Sequence, residues 1–302
     1  MLLKARTESD ELLTLRSLNI RTELTSKERF YYENLERGYD GEVKFDSMIQ
    51  DLRQERYIIN DLLLEVNNSF FQIDTLIISQ GVIHLIDVKN FYGDCYLNTD
   101  NLYSVSTGRE YKNPINQLNR CSSLFRQLLQ NLNLNYLVDA TIIFINPEFT
   151  LYQAPLDQPF ILPTQINRFL RELNNVSSQL NDGHKKLAQK LIELNQPKNP
   201  FAMLPTFIYD QIKKGPYCKI CKSFQVTIRH HHLVCNNCGD QEKIDQAIIR
   251  NVKEFSLLFP NEDITTKAIS DWSRLDLCKR TYTRALKRNF NVVGNTRSTI
   301  YK

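Results

Sequence analysis

The chain has 302 residues, of which 42% are hydrophobic, 24% charged and 10% aromatic, a composition that supports two or three folded domains and excludes a disordered chain. No apolar run reaches the ~18–20 residues of a membrane span, and the acidic start Met-Leu-Leu-Lys-Ala-Arg-Thr-Glu-Ser-Asp-Glu predicts a cytoplasmic protein without membrane association. Net charge is +4, but residues 267–302 carry nine basic against two acidic side chains, +7, which leaves −3 elsewhere and points to a polyanion held by that end.

Residues 1–35 read as a helical extension. The apolar spacing predicts helix over 24–55, broken into two at Gly38-Tyr-Asp-Gly41, with the second helix opening at Glu42. β-rich runs follow at 57–65, 69–79, 82–89, 93–98 and 101–105. The pair around Ser79-Gln80-Gly81 reads as a tight hairpin, which sets Asp74 opposite residue 86 or 87. Lys89, two residues beyond Asp87, projects from the same face. Two acids and a lysine in apolar strands need partners, because burying charge costs several kcal/mol. This pattern suits either a divalent cation with a lysine that steadies a water, or an exposed Asp–Lys ion pair, and by itself leaves both open.

Asn113-Pro-Ile-Asn-Gln117 opens a helix to about residue 133, and 138–145 is a buried strand. The order helix, strands, helix, strand gives an α/β architecture with a mixed sheet. The stretch 147–163 is Pro-rich and reads as irregular; helices near 164–178 and 182–195 form a connector over 151–212.

Taken together, Gly-Tyr-Asp-Gly-Glu42, Gln72-Ile-Asp74, Gly81-Val, Asp87-Val-Lys89-Asn90 with Gly93, and Asn113-Pro-Ile-Asn-Gln117 resemble the nuclease-related domain family of the PD-(D/E)XK nuclease superfamily. The resemblance covers roughly residues 36–146 and implies a restriction-endonuclease-like domain over 36–150. It implies that Asp74 and Asp87 ligate Mg²⁺ (or Mn²⁺), that Glu42 completes or extends the metal shell, and that Lys89 orients the attacking water. Gln117 would touch the scissile phosphate or position Lys89. The family usually has Glu where this chain has Asp87, one methylene shorter.

Cys218-Lys-Ile-Cys221 and Cys235-Asn-Asn-Cys238 have the spacing of a tetrahedral thiolate site and predict a structural Zn²⁺ in a ribbon over 213–242, with Gly239 as the permissive residue after the second pair. His230-His-His232 lies within it and reads as hairpin rather than ligand. Within 243–302, a helix over 264–272, a turn at Leu275-Asp-Leu, a helix over 278–289 and a hairpin about Gly294-Asn295 resemble a winged helix. Lys279, Arg280, Arg284, Lys287 and Arg288 on the second helix and Arg297 in the wing are the candidate nucleic-acid contacts.

The sequence therefore predicts a Mg²⁺-dependent deoxyribonuclease. An inactive nuclease-fold DNA-binding regulator and an RNA-directed nuclease are the alternatives, and oligomeric state is left open.

Overall fold

The computed structural model describes residues 1–98, 101–197, 199–294 and 299–302. In chain order, Leu2–Lys4 forms β1, Asp10–Arg21 α1 and Ser26–Ile49 α2. Tyr57–Val66, Ser69–Ile78, Val82–Lys89, Gly93–Asn98, Asn101–Ser104 and Glu110–Tyr111 are β2 to β7. Pro114–Asn131 is α3; Leu137–Phe144, Phe149–Tyr152 and Phe160–Ile161 are β8 to β10. A 3₁₀ turn leads to α4 (Ile166–Asn175) and α5 (Asp182–Glu193). Val226–Arg229, His232–Cys235 and Gln241–Lys243 are β11 to β13. Ile244–Leu258, Thr266–Ser273 and Lys279–Asn289 are α6 to α8, and Val292–Val293 and Ile300–Tyr301 are β14 and β15. No helix among the described residues is long and apolar enough to cross a membrane.

The chain divides into two compact units, Met1–Glu8 with Glu33–Phe201, and Ser9–Tyr32 with Ala202–Lys302. The first is built on a six-stranded mixed sheet in the order β1-β2-β3-β4-β8-β10. The first residues, within the stretch expected to be helical, add β1 to its edge as a parallel partner of β2. Strands β2, β3 and β4 run antiparallel, whereas β4, β8 and β10 are parallel. One face packs Phe125, Leu128 and Leu129 of α3 and Leu187 and Leu191 of α5; the other packs Phe45 and Ile49 of α2 and Ile166 and Leu173 of α4. Strands β7-β6-β5-β9 form a separate four-stranded sheet, so the segment 93–105 leaves the main sheet, and the Pro-rich stretch contributes β9 and β10.

Two local departures shape the site. The expected helix break at Gly38–Gly41 is absent: α2 runs through it. Gly41 is there for close approach, since a Cβ would lie 2.6 Å from Asn90 Cβ and 3.1 Å from Ile145 Cγ2. Asn90 in turn donates to the Arg37 carbonyl at 2.8 Å, drawing the helix onto the end of β4. The second departure lies in the strands. The β2–β3 register holds from Tyr57↔Ile78 to Val66↔Ser69, yet the residues of both strands in the α3–α5 core change parity, Ile59 to Leu62 and Ile73 to Leu76. Asp61, at this kink, has φ +56°. Asp74 sits opposite it, its carbonyl accepting from a side chain.

In the second unit, α1 and α6 to α8 bury Leu18, Ile248, Phe255, Trp272, Tyr282 and Leu286 in one core. Strands β11 to β13 form a three-stranded ribbon sheet. Helix α7 is capped by Thr265, whose Oγ1 accepts from Ala268 N at 3.1 Å, and ends at Arg274 with φ +44°. Tyr282 of α8 closes the turn through Ser273 Oγ (2.8 Å) and the Leu275 carbonyl (3.0 Å). The antiparallel pair β14–β15 follows; the turn expected about Gly294-Asn295 extends outside the described residues.

Candidate active site and metal centre

The hairpin register fixes the acidic pair. Thr75↔Ile86 is the last ladder pair along β3–β4, so the next residue on each strand sets Asp74 across from Asp87. Asp74 Oδ2 accepts from the Val88 backbone N–H at 2.8 Å. Lys89 Nζ donates to Asp87 Oδ1 at 2.9 Å and to Gln117 Oε1 of α3 at 3.1 Å. Gln117 reaches it because α3 starts at Pro114, N-capped by Asn113 Oδ1 on Ile115 N at 2.9 Å. Asp87, Lys89, Gln117 and Asp74 thus form one cluster at the end of β4.

Glu42 comes from the other face, on α2, and bonds Arg6 Nη1 through Oε2 at 2.6 Å. Arg6 carries no sequence signal that singles it out. It lies between β1 and α1, with a side chain only 3% exposed. Its Nε and Nη2 grip both Asp46 oxygens (2.9 and 3.0 Å), and Nη2 also donates to the Asp74 carbonyl (2.8 Å) and Thr75 Oγ1 (3.1 Å). Asp46 was legible in principle, one helical turn after Glu42 on the same face.

The electrostatics are those of a site short of positive charge. Burial, then the charge of Asp87, pushes the Asp74 carboxyl up to about 6 against the pull of Lys89, the Val88 N–H and Arg6. Burial, then Asp74, pushes Glu42 up to about 8 despite Arg6. Burial works against the Lys89 ammonium, but Asp87 and Asp74 more than offset it and raise its pKa. Asp87 Oδ2 is buried with no hydrogen-bond partner, although it lies 2.8 Å from Lys89 Nζ; the ammonium's geometry favours Oδ1. Two carboxylates that face each other across β3 and β4, Asp74 and Asp87, are a hard-oxygen donor set that fits Mg²⁺ or Mn²⁺. The oxygens of Glu42, Asp74 and Asp87 do not all lie within 4.8 Å of one another, so the patch is open rather than closed around an ion.

The cysteines form the tighter group. The sulfurs of Cys218, Cys221, Cys235 and Cys238 lie within 4.8 Å of one another, the one such His/Cys/Asp/Glu group among the described residues. The pairs 218–238 and 221–235 are 3.6 and 3.5 Å apart, close to the ~3.8 Å that a tetrahedron of ~2.3 Å Zn–S bonds requires. Backbone N–H groups of Ile220, Asn237 and Cys238 point at the sulfurs of Cys218 and Cys235. Lys222 and Gly239, each just after a pair, take φ +61° and +78°, as the knuckle turns require. The arrangement is compatible with a zinc ribbon. His230, His231 and His232 lie at the β11–β12 turn and are not part of the cluster.

Lys279, Arg280, Arg284, Lys287 and Arg288 are exposed on α8, with Arg288 Nη1 3.4 Å from Asp245. Arg297 lies outside the described residues.

The family model of the nuclease-related domain matches residues 37–145, and the mixed α/β fold is consistent with it. No curated protein and no solved structure matches the chain.

Proposed function

We propose that the nuclease-related segment, residues 37–145, is the catalytic part of a Mg²⁺-dependent deoxyribonuclease. The observation that carries the reading is the shared ammonium: Lys89 lies between Asp87 and Gln117, beside an Asp74 whose carboxylate is held by the next strand's backbone. Asp74 and Asp87 would hold Mg²⁺ or Mn²⁺, which supplies Lewis-acid activation of water and phosphate. Gln117 fixes the Lys89 side chain through its amide oxygen. Lys89 keeps its proton, because two carboxylates hold its pKa up, and so acts as a donor that orients the attacking oxygen and stabilises charge on the phosphate rather than as a base. The shorter Asp87 reaches less far than a glutamate, and its oxygens lie 2.8 and 2.9 Å from Lys89 Nζ, so a cation would share this carboxylate with the ammonium.

The remaining segments take supporting roles in this proposal. A structural Zn²⁺ on the four cysteines stiffens the ribbon over 213–242, and the winged-helix-like end over 243–302 holds DNA through the exposed cations of α8. Contacts of that kind neutralise phosphates, so binding weakens steeply with salt.

The test is cleavage of supercoiled, linear and single-stranded DNA and of RNA, with Mg²⁺, with Mn²⁺ and without divalent ions. Lys89→Ala should abolish cleavage and leave DNA affinity within about twofold, because phosphate binding by α8 is separate from the chemistry. Undiminished cleavage by the purified variant would sink the mechanism. Binding without cleavage in any arm would favour an inactive, regulatory protein, and cleavage of RNA alone a ribonuclease.

A further inference from the structure

We infer that Arg6 fills the place a second cation would take, so that the site accepts one divalent ion, beside Asp74 and Asp87, while Glu42 and Asp46 serve the guanidinium. The inference rests on the nuclease reading of the acidic patch, but it concerns a residue outside the matched segment.

The first argument is occupancy. All three guanidinium nitrogens of Arg6 are engaged, on Glu42, on both oxygens of Asp46, on the Asp74 carbonyl and on Thr75. A bidentate, almost fully buried guanidinium of this kind is held in one geometry and cannot shed its proton. Glu42 Oε2 is therefore already bonded to a cation at 2.6 Å. A metal on that oxygen would break the bond, and one on the other oxygen, Oε1, would set a second cation one carboxylate away from the buried guanidinium.

The second argument is charge. Four carboxylates face one another here, Glu42, Asp46, Asp74 and Asp87, against two cations, Arg6 and Lys89. The nearby Lys4 and Asp61 pair with each other at 3.9 Å and cancel. The remaining deficit of two is the charge of one divalent ion. A second ion would reverse the sign of a buried patch, which has no counter-charge left to offer it.

The third argument is position. Arg6 touches the Asp74 main chain and Glu42, whereas Lys89 reaches Asp87 from its own strand, β4, and is held there by Gln117 of α3. The two cations meet the acidic pair at different points, Arg6 at the Asp74 main chain and Lys89 at the Asp87 carboxylate, and leave the Asp74 carboxylate, bonded by the Val88 N–H, to face the ion.

The experiment counts bound Mn²⁺ by electron paramagnetic resonance in the full chain, with the cysteine site loaded with zinc. The wild type should bind one Mn²⁺ per chain, and Arg6→Lys, which keeps the charge, should also bind one. Arg6→Gln should bind a second ion, and Glu42→Gln added to it should remove that ion. In the wild-type background Glu42→Gln should change Mn²⁺ affinity by no more than about threefold, about 0.7 kcal/mol. Two ions in the wild type, one ion in a folded Arg6→Gln, or a tenfold weaker ion in Glu42→Gln each overturn the inference and leave the nuclease reading intact. No Mn²⁺ bound to the wild type overturns both. Zinc content and circular dichroism identify variants that do not fold; the wild-type count and Glu42→Gln then decide.

Discussion

Asp74 is the residue whose removal should stabilise the protein when no divalent ion is present. Its carboxyl is held at about 6, against an ordinary value of 3.8. The difference of about two pH units corresponds to roughly 3 kcal/mol. The folded state keeps a proton that the unfolded chain gives up, so stability falls as pH rises from about 4 to about 6, and the full cost persists above that range. Asp74→Asn removes the charge but keeps an acceptor for the Val88 N–H. In zinc-loaded, divalent-free protein the variant should equal the wild type near pH 4 and exceed it by up to about 3 kcal/mol at pH 8. Adding Mg²⁺ at pH 8 should stabilise the wild type and leave the variant unchanged. Chelators must be avoided, because they would strip the thiolate site. The sole tryptophan, Trp272, lies in the second unit, so its fluorescence reads the wrong region; amide exchange on β3 and β4 reads the right one. A variant less stable than the wild type at pH 8, or a gap that does not vary with pH, would refute the reasoning.

Gly41→Ala should destabilise by about 1–3 kcal/mol although alanine is the better helix former, because its Cβ would press on Asn90 and Ile145; a rise in melting temperature would show that the contact relaxes freely. Cys235→Ser should lose the bound zinc, measured by metal analysis, together with exchange protection in β11 to β13, while protection in β2 to β4 persists. Arg284→Ala and Lys287→Ala should each lower the slope of log affinity for DNA against log salt by about one; an unchanged slope would remove α8 from the interface.

Much of the candidate site was legible because it hangs on short-range rules. The turn at Ser79-Gln80-Gly81 fixes the β3–β4 register, and the period of two then fixes which residues neighbour Asp87. The cysteine knuckles and the Asn113-Pro114 helix start depend on local backbone chemistry in the same way. The misreadings all involve contacts distant in sequence. Gly38 and Gly41 look like helix breakers until Asn90 packs on the second of them. Strand β5 follows β4 directly, yet it pairs with β9 and β6 rather than with the main sheet, and no local pattern announces the β9 pairing. Arg6 sits 36 residues before its Glu42 partner and 68 before Asp74, in a segment whose composition is ordinary. A buried cation chosen by tertiary geometry leaves no periodic trace.

The division of the chain bears on how the protein emerges from the ribosome. Helix α1 is made early, but its apolar side, Leu15 and Leu18, belongs to the second unit, and Arg21 finds its partners only at Lys213, Gly215 and Glu254. The nascent chain must therefore carry an unsatisfied amphipathic helix through the synthesis of about two hundred residues, while the first unit gathers its own sheet. At typical elongation rates that interval lasts on the order of ten seconds or more, long enough for a chaperone to matter. It also means that no single cut separates the two units: a fragment starting at residue 37 would lack β1 and Arg6, and one starting at residue 202 would lack α1.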